Sequence, residues 1–148
     1  MPDDEFWALI DQLDWSREGD DDAVLEPVVR ALAKRTVVDI KAFAETLAHK
    51  LFQLDTCAHA KEIGEDAWKD EDAFFSVDTF LYARCAVVAN GREVYERALA
   101  APEEMPKDVE FEALLYLAGS AYERRTGKEL DYSTGCDFET FSNRKGWA

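Results

Sequence analysis

Basic side chains are scarce in this chain: 17 Lys and Arg stand against 32 Asp and Glu, for a formal charge of -15. A surface field of that sign repels nucleic-acid phosphates and anionic lipid headgroups, so no direct nucleic-acid binding is expected, and cationic partners are drawn inward. Histidine is scarcer still. His49 and His59 are the only two, and neither their spacing of ten nor that of Cys57 to His59 makes a pair of metal ligands, so no metal is expected. The three cysteines, Cys57, Cys85 and Cys136, form no CxxC pair and no even framework, which excludes a disulfide scaffold or zinc ribbon and leaves reduced, mostly buried thiols. Long hydrophobic runs are absent. No stretch approaches the ~20 apolar residues of a membrane span, and MPDDEFWALIDQL lacks both the basic and the apolar region of a secretion signal, so the expectation is a cytoplasmic protein with no membrane partner. GxxxxGK[ST], GxGxxG, GxSxG and HExxH are all missing, so phosphate cradles, dinucleotide folds and the common hydrolase elbows have no support. Hence no cofactor is expected, and the chain bears no catalytic signature.

What is present is core-forming material. The composition is 47% hydrophobic, with nine Phe, five Tyr and four Trp, which offsets chain entropy despite the charge, and 148 residues suit one domain. Apolar periodicity is helical almost throughout, and no alternation lasts long enough for a sheet. The expected fold is therefore all-α: a single-domain bundle of about five to seven helices over 1–148, with an irregular tail from about 128 laid over it. Phe6, Leu9, Ile10 and Leu13 predict a helix over 4–14, capped by Asp3 or Asp4. Leu25, Val28, Val29 and Leu32 predict a second, starting or kinking near Leu25 because Pro27 is comfortable only in a first turn. Thr36 and Asp39 open a long third helix, with Ile40, Ala44, Leu47, Leu51, Leu54 and Ala58 on one face and Gly64 at its close. Ser76 caps a helix over 77–90, Asn90-Gly91 ends it, Arg92–Leu99 continues, and Asp108 caps an apolar helix through Tyr122 that stops at Gly127.

One charge stands out. In FLYARCAVVANG, residues 80–91, Arg84 shares a helical quadrant with Phe80, Val87 and Val88, and apolar residues cover most of the remaining circumference. Such a helix is central, so the guanidinium requires a carboxylate or several carbonyls close by. On the wheel of the third helix Asp55 lies beside the core-facing stripe, which predicts an Asp55–Arg84 ion pair; Glu45 and Glu112 have less apolar flanks. Two roles follow: a register lock between two helices, or an anchor whose planar fork holds an anionic ligand. The acid clusters at 20–22, 65–66, 70–72 and 103–104 read as a solvated surface or as a negative face toward a basic protein. In SNRKGWA, Arg144, Lys145 and Trp147 read as a tail pinned by its indole or as a recognition patch or lid.

The blocks FWALIDQLDWS, KLFQLDTCAHA, FLYARCAVVANG, EFEALLYLAGSAYERRTG and ETFSNRKGW together resemble the bacterial domain-of-unknown-function family 4240. The resemblance implies a small, soluble helical domain and carries no mechanism. It also implies that Asp55, His59, Arg84, Asn90, Tyr122, Asn143 and Trp147 occupy recurring polar positions, a pocket or structural cluster if they converge. Three functional readings follow. The first is an acidic binding protein engaging a basic protein partner. The second is a small-molecule-binding protein or enzyme with a pocket around Arg84, Asp55, His59 and Tyr122, and the third a DNA mimic that sequesters a nucleic-acid enzyme. Oligomeric state is left open.

Overall fold

The computed structural model describes residues 1–148 and holds eight α-helices, three 3-10 turns and no β-strand. The helices are α1 (Asp3–Ile10), α2 (Asp21–Ala33), α3 (Val37–Gln53), α4 (Cys57–Ala60), α5 (Val77–Ala89), α6 (Arg92–Ala100), α7 (Leu117–Thr126) and α8 (Arg144–Trp147). The all-α expectation holds, with one helix more than the upper count. Two compact units are present: the first comprises Met1–Leu47 and Ala113–Gly135, the second Ala48–Glu112 and Cys136–Ala148. No helix is long and apolar enough to cross a membrane.

In the first unit, α1 follows Pro2, and Asp3, Asp4 and Glu5 fill its first turn, where acid faces the positive end of the helix dipole. Neither Asp3 nor Asp4 is the cap, and the helix ends at Ile10, short of the expected 14. Asp20 caps α2 by accepting from Ala23 N at 3.2 Å, so that helix begins four residues before Leu25 and carries Pro27 inside it. The missing proline N–H removes only the bond to Ala23 O, whereas the helix buries Val24, Leu25, Val28, Val29 and Leu32. Side-chain burial wins. α7 packs on α2, and Arg124 grips Glu26 through two bonds of 2.6 and 2.9 Å, which hold the Glu26 carboxyl below its ordinary pKa. Its start at Leu117 corrects the helix expected from Asp108. That residue caps nothing: its φ is 57° and its Oδ1 accepts from Glu65 N at 2.8 Å, while Glu112–Tyr116 forms a 3-10 turn.

The second unit is built around α5. Ser76 accepts from Thr79 N to start it, every residue from Phe80 to Ala89 except half-buried Tyr82 is buried, and Gly91 at φ 102° turns the chain into α6. Tyr95 of α6 donates its hydroxyl to Lys50 O at 2.8 Å, with Gln53 Oε1 at 2.9 Å, tying α6 to the end of α3. The long helix expected to run to Gly64 breaks here. α3 stops at Gln53, and Thr56 Oγ1 accepts from His59 N at 3.0 Å to begin the one-turn α4, which leaves Ala58 exposed. A competing cap ended a periodicity that α3 alone would have continued.

Candidate functional site

Arg84 stands on α5 with no exposed surface. Its Nη1 donates to Leu51 O and Phe138 O, each at 2.9 Å, and its Nη2 to Thr140 Oγ1 at 3.0 Å. Thr140 passes the interaction on by donating its hydroxyl to Val77 O at 2.7 Å. The guanidinium carbon lies 4.6 Å from the centroid of the Phe80 ring, a cation–π contact, and Nε alone has no partner. Burial pushes the guanidinium pKa down, and the charge of Asp55 pulls it back up.

Asp55 sits in the break between α3 and α4, fully buried. Its Oδ1 accepts from Trp147 Nε1 at 2.8 Å and Phe141 N at 3.2 Å, and its Oδ2 accepts from Asn143 N at 3.0 Å. The expected ion pair is therefore absent as a direct bond. Once α3 ends at Gln53, Asp55 leaves the wheel position that aimed it at Arg84, and its carboxylate meets the chain terminus instead. The two charges act on one object: Arg84 holds residues 138–140, and Asp55 holds residues 141–147.

Asn143 adds a second tie, donating Nδ2 to Phe52 O at 3.3 Å and accepting from Gly146 N at 3.3 Å to cap α8. Gly146 is required by contact, since a Cβ there would meet Asp55 O and Thr56 Cγ2 at 2.8 Å. Trp147 then lands among aromatics, 4.6 Å from Phe141, 5.3 Å from Trp68, 6.0 Å from Phe80 and 6.2 Å from Phe75, centroid to centroid. The edge-to-face geometry of the first three pairs suits ring quadrupoles.

His59 is 5% exposed. A carbonyl only accepts, so Nε2 carries the proton toward Ala98 O at 2.9 Å, and Nδ1 accepts from the Thr56 hydroxyl at 2.6 Å. Burial lowers its pKa below 6.5, keeping the ring neutral. Cys85 is buried and its thiol is pushed up to about 12, far from the thiolate a nucleophile needs.

Of the residues singled out in the sequence, Asp55, Asn143 and Trp147 are joined by direct hydrogen bonds, Arg84 joins through the same terminal segment, and His59 stands one turn beyond Asp55. Asn90 is exposed and donates to Ala86 O at 2.7 Å, closing its own helix. Tyr122 belongs to the first unit. So does Glu45, which accepts from the Tyr132 hydroxyl at 2.7 Å and Gly135 N at 2.8 Å. Sequence reasoning missed Thr140, the carbonyl of Phe138 and the ring cluster of Trp68, Phe75 and Phe141; the only one-dimensional trace was the density of aromatics in AFFSV and DFETF. A separate cleft of about 150 Å³ is lined by Ile63, Thr79, Ala83 and Val109 with the carboxylates of Glu65, Asp66, Asp108 and Glu110. No group of three or more His, Cys, Asp or Glu side chains is arranged to hold a metal ion.

These features define a class: an all-helical acidic protein whose buried charges are satisfied mainly by its own C-terminal segment. More particularly, residues 1–124 match the family described as Protein of unknown function (DUF4240), and the chain belongs to it. The block ETFSNRKGW, with Asn143 and Trp147, lies beyond the matched span. No curated protein and no solved structure matches the chain.

Proposed function

We propose that the protein is a cytoplasmic binding module that engages a basic protein partner and performs no chemistry of its own. The supporting observation is a division of labour among charges. Those buried in the polar cluster are engaged with the chain's own donors and acceptors, apart from the single Nε of Arg84, while the formal charge of -15 faces outward. An outward field of that size accelerates encounter with cationic proteins and disfavours anionic ones. A small-molecule pocket around Arg84, Asp55, His59 and Tyr122 has less behind it, because both ring nitrogens of His59 and both carboxylate oxygens of Asp55 already have partners. Isolation from the native host at low salt, followed by native mass spectrometry, tests the reading. A basic protein retained at low ionic strength and released by about 0.5 M salt, where the Debye length is about 4 Å, is the expected result. A retained small molecule without a protein would replace the proposal by the pocket reading.

A further inference from the structure

The second unit leaves three large apolar side chains at its surface. Phe74 is 92% exposed, Phe141 44% and Val77 40%. None of the three is loose chain. Asp70 Oδ1 accepts from the amides of Asp72 and Ala73, both at 2.8 Å, which fixes the turn leading into Phe74. Phe75, the next residue, packs its ring on Trp68 at 5.3 Å while the Phe74 ring stands in solvent. Val77 is the first residue of α5, and its carbonyl is held by Thr140. Phe141 has a φ of 78°, a left-handed backbone that a phenylalanine rarely adopts, kept in place by the bond from its amide to buried Asp55. That conformation leaves the Phe141 ring half-exposed on a platform of Trp147 at 4.6 Å, Trp68 at 6.2 Å and Phe75 at 6.3 Å.

The electrostatics select the occupant. Along residues 65–78, which carry Phe74 and Val77, the carboxylates of Glu65, Asp66, Asp70, Glu71, Asp72 and Asp78 stand against the single ammonium of Lys69, while beside Phe141 the acids Asp137 and Glu139 are balanced by Arg144 and Lys145. Aromatic residues are enriched at the core of protein interfaces, and an acidic stretch beside them favours a cationic partner while an anionic one would meet repulsion. We infer that Phe74, Val77 and Phe141 form a docking surface for a lysine- or arginine-rich segment of a partner protein that presents an aromatic or aliphatic anchor. The inference rests on the basic-partner reading above and gives it an address.

The test uses the full chain and a panel of fluorescently labelled peptides in which one Phe, Trp or Leu is flanked by four lysines, read by fluorescence anisotropy at two salt concentrations. Saturable binding is expected, weakened about tenfold by Phe74→Ser and by the double change Glu71→Lys with Asp72→Lys, and by replacing the peptide's anchor with Ala. Because Phe74 is almost wholly in solvent, Phe74→Ser should leave the urea midpoint unchanged. The control is Glu123→Lys with Glu129→Lys in the first unit, an equal change of charge on exposed residues. If the control weakens binding as much as the Glu71/Asp72 change and Phe74→Ser does nothing, the docking surface is wrong while a basic partner attracted by the general field still stands. If no peptide binds saturably to the unaltered protein, the docking surface and the basic-partner reading both fall.

Discussion

Arg84 and Asp55 act as two ends of one clamp, and their energetics follow from what each would strand. Arg84→Met removes the donors of Leu51 O, Phe138 O and Thr140 Oγ1 and should cost about 3 kcal/mol; Asp55→Ala leaves two amides and an indole N–H unpaired and should cost a similar amount. Both changes release the same segment, so the double variant should be less destabilised than the sum of the two in urea melts, yet well below the wild type. Full recovery in the double variant would mean a direct ion pair after all. His59 sets a pH dependence. Its folded pKa lies below the unfolded value of 6.5, so the stability it contributes is complete above pH 6.5, declines as pH falls from there through the folded value, and changes no further below it. His59→Gln should flatten that part of the curve between pH 7.5 and 5, as urea midpoints would show. Arg84 was legible as a buried charge because its neighbours along α5 are apolar on every side. The identity of its acceptors was not, since Phe138 and Thr140 lie more than 50 residues away and two of the three acceptor atoms belong to the backbone.

Helix termini decide what the elements can present. Those with a local signal read well: Ser76 before α5, Thr36 before α3, whose Oγ1 accepts from Asp39 N at 3.1 Å, and Gly127 after α7, with φ at 73°. The end of α3 did not, because its apolar spacing runs on through Leu54 and only the Thr56 cap and the burial of Asp55 select the break. Asp108 misled for a related reason: an aspartate beside an apolar run reads as a cap, but its carboxylate accepts from a distant donor, Glu65 N. Two glycines make a matched experiment. Gly127→Ala meets nothing within 4 Å and should cost only the left-handed backbone penalty, about 1 kcal/mol. Gly146→Ala would press on Asp55 O and Thr56 Cγ2 and should dislodge α8. Circular dichroism in the aromatic region, to which Trp147 contributes, should change for Gly146→Ala and remain as wild type for Gly127→Ala.

For the molecule as a whole, the terminal segment is structural material of the second unit. Of the six hydrogen bonds made by the side chains of Arg84 and Asp55, five go to residues 138–147. A chain ending at Gly135 should lose the fixed packing of the second unit, seen as loss of near-ultraviolet circular dichroism and gain of dye binding by exposed aromatics; retention of both wild-type signals would show that the buried charges find other partners. The helical class, the central position of α5, the outward acidic field and the demand that Arg84 be answered from within were all determined by the sequence itself, because each depends on local periodicity or on a count of charges. Which atoms answer Arg84 and Asp55, where α3 stops, and which aromatics remain at the surface were decided only by the tertiary structure. These outcomes depend on backbone carbonyls and amides, which every residue carries alike and which only folding brings within reach.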